Sequence, residues 1–555
     1  MRVKRYTVGV DFGTLSARAL LLDAASGEEI AVQTMAYPHA VMSETLAATG
    51  ETLPPDYALQ DPADYITVLS HVVPAVLRAG GVRADEVEGI GIDFTTCTLL
   101  SVDENGTPLC MLPAFRETPL AYALLWKHHA AHSYAVRMTE IARARGERFL
   151  SRCGGKVDEE WAFPKIYQVL AEAPEVYRAA HLFVEAGDWI VWQLTSRLSR
   201  GYQFAAYKSH YDAEVGYPSE AYFAAVDTRL THVVREKLGG ALHEMGTKAG
   251  NLTADFAARL SLREGIAVAV AMPDGHSVAA GLGLSHAGDM LAVLGTSGCF
   301  MALGACDADV PGICGSVKDG ILPGFYGFEA GLCCLGEHFA YAADRLVSPA
   351  YVEEARARGV SVLSLLMEKA AARRVGESGV LALGWFNGNR STLVDAKLSG
   401  TFVGLTLQTA PEDLMRALCE ATAFGARNIV ENYEKHGVPI RRIVASGGIA
   451  HKNPFLMQLY ADVLGREITL TVTAEAPARS SAIAAASAAG LYEGIRAATE
   501  ALCAPVARVY VPNGSNTALY DRLYALYRRV HDFFGIESRD VMHALRDLSE
   551  GQKGE

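Results

Sequence analysis

Near the beginning of the chain, residues 6–14 read YTVGVDFGT, and this stretch carries the strongest indication of the fold. Its apolar and β-branched residues predict a buried β-strand that ends in a glycine turn. Backbone N–H groups at a glycine turn and a nearby hydroxyl can hold phosphate oxygens, and a carboxylate can hold Mg²⁺ through water. Asp11, Gly13 and Thr14 are therefore candidate phosphate and magnesium residues, although such a turn is also common in ordinary hairpins.

A second unit of this kind lies in the segment 289–304, which predicts a strand, a tight turn and another strand. Its turn supplies Gly295, Thr296 and Ser297 as further phosphate-binding candidates. The recurrence predicts two related halves of the chain, with a division near residue 285.

A third segment, SGGIAHKNP (446–454), places a glycine pair before a predicted helix. Gly447, Gly448 and Asn453 suit a surface that contacts adenosine. Each of the three segments is individually a common loop pattern, but their order is that of the actin-like ATP-binding fold. The sequence has no GxxxxGK[ST] loop, which makes a P-loop enzyme a poor alternative.

Helical and strand patterns alternate along the chain, which predicts an α/β protein. Residues 6–34 predict two strands, and residues 87–94 predict a buried strand. Asp61 and the proline after it predict the start of a helix, and 411–436 predicts a long amphipathic helix. His128 and His129 fall on a predicted helix and are interpreted as structural.

The composition narrows the possible partners. The chain has 555 residues, half of them hydrophobic, and a formal net charge of −13, which argues against nucleic-acid or anionic-membrane binding. We predict neither a signal peptide nor a transmembrane segment. Ten cysteines without a CxxC pair indicate reduced thiols in a cytoplasmic protein.

Five longer segments are informative beyond these motifs: GIGIDFTTCTLLSVDENGTPL (89–109), EEWAFPKIYQVLAEAPEVY (159–177), EAGDWIVWQLTS (185–196), VPGICGSVKDGILPGFYGFEAG (310–331) and WFNGNRSTLVDAKLSGTFVGLTLQTAPEDLMRALCEATAFGAR (385–427). With these segments the sequence resembles the FGGY carbohydrate kinases over about the first 535 residues.

The resemblance implies an α/β fold of two ribonuclease-H-like, actin-like ATPase domains around a central cleft. Residues 1–285 would form an N-terminal sugar-binding domain, 286–535 a C-terminal ATP-binding domain, and 536–555 a tail. Residues 474–490 (AEAPARSSAIAAASAAG) depart from the family pattern, which has a glycine-containing helix start there.

The resemblance also implies roles for single residues. Asp274, in AMPDGHSVAAG, matches the catalytic aspartate, and Asp11 matches an aspartate near Mg²⁺ and the phosphates. The turns around residues 13, 295 and 447 match the ATP-binding segments. The implied sugar contacts are Thr96, Lys208, Asp274 and Glu329. Without the resemblance, Asp274 reads as a helix cap, Lys208 as a surface lysine and Glu329 as a structural acceptor.

The implied reaction is ATP- and Mg²⁺-dependent phosphorylation of the terminal 5-hydroxyl of a ketopentose, with L-ribulose as the expected substrate. Two alternatives stay open: a kinase for D-ribulose, xylulose or a related polyol, and a non-catalytic actin-like regulator that binds sugar or nucleotide. A homodimer is compatible with the resemblance.

Overall fold

The computed structural model describes residues 4–473 and 475–551. Residues 1–3 of the predicted N-terminal domain and residues 552–555 of the predicted tail lie outside the described residues. So does Ala474, in the segment 474–490 that departs from the family pattern. Contacts divide the chain into two units. Unit 1 runs to Ser285 and includes Val317–Gly327 and Glu475–Ala504, whereas unit 2 holds His286–Ser316 and the remaining segments.

Twenty-two strands occur in the described part of the chain. In chain order they are β1 (Tyr6–Phe12), β2 (Ser16–Asp23), β3 (Glu29–Ala36), β4 (Leu59–Gln60), β5 (Val87–Phe94), β6 (Leu99–Val102), β7 (Ala123–Leu124), β8 (Leu182–Glu185), β9 (Ser199–Gly201), β10 (Ala241–His243), β11 (Lys248–Asn251), β12 (Ala267–Ala269), β13 (Met272–Pro273), β14 (Asp289–Leu294), β15 (Gly298–Gly304), β16 (Gly315–Lys318), β17 (Tyr326–Leu332), β18 (Leu381–Leu383), β19 (Thr401–Val403), β20 (Arg442–Ser446), β21 (Ile468–Thr471) and β22 (Val506–Tyr510).

The α-helices, named in the same way, are α1 (Pro62–Gly80), α2 (His132–Arg145), α3 (Ala162–Glu172), α4 (Pro174–Ala179), α5 (Ala186–Thr195), α6 (Tyr202–Lys208), α7 (Glu220–Val226), α8 (Val233–Lys237), α9 (Ala254–Leu260), α10 (Asp274–Gly281), α11 (Gly336–Arg345), α12 (Pro349–Arg358), α13 (Val362–Ala372), α14 (Pro411–Lys435), α15 (Gly448–Lys452), α16 (Pro454–Leu464), α17 (Ala476–Ala488), α18 (Gly494–Leu502), α19 (Gly514–Asp532) and α20 (Arg539–Gly551). Among the described residues, none of these helices is both long enough and apolar enough to cross a membrane.

Unit 1 is built on a sheet in the order β11-β12-β5-β1-β2-β3, with β13 also paired to β5. β1 is parallel to β5 and antiparallel to β2, and its side chains are buried. The prediction of two strands over 6–34 was wrong, because β3 forms a third. Asp23 accepts hydrogen bonds from the amides of Ala25 and Ser26, and this turn returns the chain as β3.

Helix α17 covers β1 and β5 at a very short distance. A Cβ atom on Gly9 would lie 1.9 Å from the carbonyl oxygen of Ala478, and one on Gly91 would lie 2.0 Å from that of Ser481. The sheet glycines therefore admit the helix backbone, and the alanines and serines of α17 are small enough to fit there. Residues 475–504, which the predicted division assigns to the second domain, have their contacts in unit 1; the division into functional domains stays a prediction.

Unit 2 is built on a sheet in the order β16-β17-β15-β14-β20-β21-β22. β14 is antiparallel to β15 and parallel to β20. The predicted strand–turn–strand over 289–304 is confirmed as β14 and β15, and the long predicted helix is confirmed as α14. In unit 1, Asp61 caps α1 as predicted, because its Oδ1 accepts the amide of Ala63.

Candidate active site

Three aspartates of unit 1 lie at or just after the carboxyl ends of neighbouring parallel strands. Asp11 lies near the end of β1 and is in register with Asp93 on β5. Asp274 is the first residue of α10 and directly follows β13, which is parallel to β5. Because the carboxyl ends of parallel strands meet at one edge of a sheet, these side chains gather at the place where α/β folds usually bind ligands.

Asp11 and Asp93 form a close pair of buried acidic side chains. Asp93 is fully buried, and burial, followed by the charge of Asp11, raises its pKa well above the ordinary value. Burial also raises the pKa of Asp11, although Asp93 and Arg18 oppose that rise. A second negative charge on this pair of carboxyl groups is therefore disfavoured.

Helix α17 supplies a partner for the buried carboxyl. The hydroxyl of Ser481 donates to Asp93 Oδ2 at 2.6 Å. Ser481 reaches the carboxyl because its own backbone lies directly over Gly91, two residues before Asp93 on the strand. The helix–sheet packing and the polar contact therefore depend on the same glycine.

Arg18 connects the acidic pair to the start of α17. It lies opposite Asp11 on β2, with 3.4 Å between its Nε and Asp11 Oδ2. Its Nη1 donates to Glu475 Oε2 at 2.7 Å, immediately before the helix. One guanidinium thus shares its charge between two carboxylates.

Asp274 differs from the first two aspartates because it is only half-buried. Its Oδ1 accepts the backbone amide of Gly275 at 2.7 Å and the hydroxyl of Thr96 at 3.4 Å. Burial, with a smaller contribution from the charge of Asp11, raises the pKa of Asp274 to about 6. It does not act as a helix cap: Pro273 occupies that position. A carboxylate that titrates close to neutral pH can accept a proton from a substrate.

The first glycine turn is held by hydrogen bonds on both sides. Gly13 donates its amide to Ser16 O at 3.0 Å, and its carbonyl accepts the hydroxyl of Tyr37 at 2.9 Å. The carbonyl of Thr14 accepts Gln60 Nε2 at 2.8 Å, and its hydroxyl accepts Trp126 Nε1 at 3.0 Å. The turn is therefore preorganised by residues from three other segments.

Lys208 ends α6 within the same unit. Its Nζ lies 5.9 Å from the ring centre of Trp161 and 6.0 Å from that of Tyr207, distances compatible with cation–π contacts. The Tyr207 ring stacks on His276, with 3.9 Å between the centroids. Because His276 is two residues after Asp274, this stack connects Lys208 to the segment that carries the aspartate.

Two predicted phosphate turns lie in unit 2, after the parallel strands β14 and β20. In the first, Gly295 N donates to Ser297 O at 3.0 Å, and Thr296 O accepts the amide of Leu335. In the second, Gly447 has φ 96°, and a Cβ there would lie 2.4 Å from the carbonyl of Leu294. Only glycine fits this position, which brings the two turns together.

Helix α11 begins against both turns. The amide of Gly336 donates to Gly295 O at 3.0 Å, and a Cβ on Gly336 would lie 2.9 Å from Ile449 in α15. Three backbone segments therefore converge there, with Gly448 beginning α15. Asn453 caps the next helix, since its Oδ1 accepts the amide of Leu456 at 3.0 Å.

Glu329 lies on β17 of unit 2 and is half-buried. Its carbonyl accepts the amide of Cys314 at 2.7 Å. The pKa of the nearby Arg390 guanidinium is raised: burial, the largest single cause, lowers it, but Cys314, Cys333 and the Glu329 carboxylate together with a further thiol outweigh burial. A sugar-binding role for Glu329 stays a prediction.

Several site features were missed by the sequence reasoning, and one could have been found. GVDF (9–12) and GIDF (91–94) are the same motif on two strands, and they pair residue for residue in parallel register. That repetition indicates Asp93. In contrast, no local pattern indicates the contacts made by Ser481 or Trp126.

The paired histidines lie in a loop rather than on the predicted helix. His128 and His129 precede α2 and are not in a helix. His128 is buried, hydrogen-bonded to Gln168 at 2.9 Å, and burial lowers its pKa to about 3. Its interpretation as structural agrees with these contacts. Within the described residues, no group of three or more His, Cys, Asp or Glu side chains could hold a metal ion.

Glycine turns that can hold phosphate and aspartates at a sheet edge are groups that a phosphate-transferring enzyme needs, and comparison with known proteins identifies that enzyme class as carbohydrate kinase. The family model for the FGGY family of carbohydrate kinases, N-terminal domain, matches residues 6–281, and the C-terminal domain model matches 290–489. The chain belongs to this family, whose members use ATP.

Curated relatives match almost the whole chain. A ribulokinase from Bacillus licheniformis is 46% identical over 542 residues, covering 97% of this chain and 98% of that protein. A ribulokinase from Mycolicibacterium smegmatis is 44% identical over 544 residues, covering 98% and 96%.

Solved structures agree on the fold. The crystal structure of xylulose kinase from Rhodospirillum rubrum has a TM-score of 0.77 at 22% identity and covers 97% of this chain and 100% of its own. Plasmodium falciparum glycerol kinase with ADP has a TM-score of 0.73 at 14% identity, covering 95% and 98%.

Proposed function

We propose that this chain transfers the γ-phosphate of ATP to the 5-hydroxyl of L-ribulose. Two observations support the substrate: the near-full-length similarity to ribulokinases, and the family segments that flank the aspartates. The observation that carries the chemistry is Asp274, a half-buried carboxylate with a raised pKa at the edge of the unit 1 sheet.

Asp274 is the proposed general base. Its Oδ1 is already oriented by Gly275 and Thr96, so that the carboxylate can accept the proton of the sugar hydroxyl as the bond to phosphorus forms. Phosphoryl transfer needs positioning and charge stabilisation more than covalent catalysis, and a loose transition state makes a carboxylate sufficient as base.

Asp11 is the residue proposed to hold Mg²⁺. Asp11 and Asp93 place carboxyl oxygens side by side at a strand end, where burial and mutual repulsion disfavour a second negative charge. Such an excess of oxygen donors fits a divalent cation, which usually takes one or two carboxylates and keeps water. When bound, Mg²⁺ would neutralise charge on the β- and γ-phosphates.

The remaining assignments are part of the same proposal. Backbone amides around residues 13–14, 295–297 and 447–448, with Asn453, would contact ATP. Lys208, Glu329 and Thr96 would contact the sugar hydroxyls. A site built on such hydrogen bonds rejects analogues that lack a hydroxyl, because a polar protein group is then left unpaired.

The proposed location is the cytoplasm, where ATP is available and thiols stay reduced. No disulfide joins the ten cysteines, all of which lie in the part of the chain that the structure describes. A homodimer stays an expectation.

The test is ADP release by the purified protein with Mg-ATP and a panel of L-ribulose, D-ribulose, L- and D-xylulose, ribitol, arabitol and glycerol. We expect turnover to be greatest with L-ribulose and to be lost in Asp274→Ala. Turnover only with another sugar would overturn the assignment of L-ribulose as substrate but not the assignment of Asp274 as base. If no sugar supports ADP release while ATP still binds, the result would favour a non-catalytic regulator instead.

A further inference from the structure

Lys165 lies in the interior of unit 1, at the first turns of α3, and is fully buried. Its ammonium donates to the carbonyl oxygens of Cys97 at 2.7 Å, Leu125 at 2.8 Å and Leu124 at 3.4 Å. These three acceptors match the three N–H donors of the ammonium. A buried cation that contacts backbone carbonyls in two separate segments acts as a cross-link between them.

The first segment is the loop 95–98, which carries Thr96. Its ends are held by hydrogen bonds from Thr95 N to Phe12 O at 3.0 Å and from Ala186 N to Thr98 O at 2.8 Å. Its centre contains Cys97 at φ 65°, in the left-handed region that a side chain rarely adopts. This conformation needs support from its surroundings, and the bond from Lys165 to the Cys97 carbonyl provides it.

The second segment leads to the phosphate turn. Leu124 and Leu125 immediately precede Trp126, whose indole N–H binds the hydroxyl of Thr14 at 3.0 Å. The ammonium therefore contacts the residue that follows Thr96 and the residue that precedes Trp126, and Thr96 in turn reaches Asp274. It fixes the two segments relative to each other without touching any group that would react.

We propose that Lys165 is a positioning residue, whose ammonium fixes the loop 95–98 so that the hydroxyl of Thr96 reaches Asp274. This inference rests on the proposed function of Asp274 as base. The burial of a charge with no hydrogen-bonded carboxylate is costly, and a methionine of similar length would fill the same space. The retained amine is explained by the three carbonyls that it orients.

The test uses Lys165→Met, with Lys237→Met as the matched control. Lys237 also donates to two backbone carbonyls in unit 1, those of Tyr177 and Ala180, but neither belongs to a site segment. For Lys165→Met we expect kcat/KM for the ketose to fall about 100-fold, the scale of a misplacement of about 1 Å. The control should keep native kinetics.

A double-mutant cycle distinguishes positioning from a general loss of structure. Thr96→Val removes the hydroxyl that Lys165 is proposed to orient. We expect the Lys165→Met/Thr96→Val protein to be no slower than the slower single variant. A loss equal to the product of the two single losses would overturn the proposal, and so would native turnover in Lys165→Met.

Hydrogen–deuterium exchange gives a readout that needs no turnover. We expect faster exchange over residues 95–98 in Lys165→Met and unchanged exchange there in Lys237→Met. If the native protein phosphorylates no sugar, the proposed function fails, but this comparison still decides whether Lys165 fixes the loop. Unchanged exchange in Lys165→Met overturns the positioning role. If Lys165→Met does not fold, Lys165→Gln, which keeps two donors, replaces it in both experiments.

Discussion

Replacing Asp274 with asparagine should remove turnover and stabilise the protein at the same time. Asparagine keeps a carbonyl oxygen for the Gly275 amide and the Thr96 hydroxyl, but it cannot accept a proton as a base. Burial raises the pKa of Asp274 from 3.8 to about 6. Its contribution to stability is therefore complete below about pH 4 and is lost as the pH rises through 6.

The size of the effect follows from that difference. One pKa unit corresponds to about 1.4 kcal/mol, so the upper bound is about 3 kcal/mol, and partial exposure reduces the expected gain to about 1–2 kcal/mol. Asp274→Asn should thus exceed the native protein in free energy of unfolding at pH 8, and by about half as much at pH 5, which lies between the two pKa values. Its kcat should fall by about 10²–10⁴-fold.

Denaturant unfolding at both pH values, together with ADP release, measures both effects. Asp227→Asn is the control of opposite sign, because hydrogen bonding from Arg229 lowers the pKa of Asp227. That variant should lose stability at pH 8 and keep its turnover. An Asp274→Asn protein with equal stability differences at pH 5 and pH 8, or with near-native turnover, would refute the reasoning.

Three further predictions concern the packing under α17 and the metal. Gly9→Ala should destabilise unit 1 by about 3 kcal/mol or more, because the new Cβ meets the Ala478 carbonyl at 1.9 Å, whereas Gly514→Ala, with open space around it, should not. Equal melting temperatures for the two variants would contradict the close-packing argument. Ser481→Ala should cost about 1–3 kcal/mol in thermal unfolding by removing the donor to Asp93; an unchanged melting temperature would argue against that contact. Chelation of Mg²⁺ should abolish turnover reversibly without unfolding, and full activity in excess EDTA would exclude the proposed metal requirement.

The parts of the fold that local patterns predict are those fixed by short-range preferences. The apolar run 87–94 predicts a buried strand, and Asp61 before a proline predicts a helix start; both predictions are confirmed. The two glycine turns and the order of the segments also indicate an actin-like ATP-binding fold, because each motif is contained in fewer than ten residues, whereas the family is indicated by the longer segments.

Contacts between distant residues could not be predicted in this way. Ser481 and Asp93 are 388 residues apart in the chain, and they meet only because α17 returns to unit 1 over the sheet glycines. In the sequence, the alanine-rich segment 474–490 is only a departure from the family pattern. In the structure, α17 consists largely of small residues because its backbone packs directly over Gly9 and Gly91.

Lys165 makes the same point for the site itself. In the sequence it is a lysine in an apolar helix segment, with nothing to show which carbonyls it contacts. Its partners, Cys97 and Leu125, come from segments whose approach depends on the assembled unit. Residue types and short spacings therefore identified the chemistry available to this protein, and the folded chain determined which groups orient that chemistry, because hydrogen bonds depend on distances that local sequence does not encode.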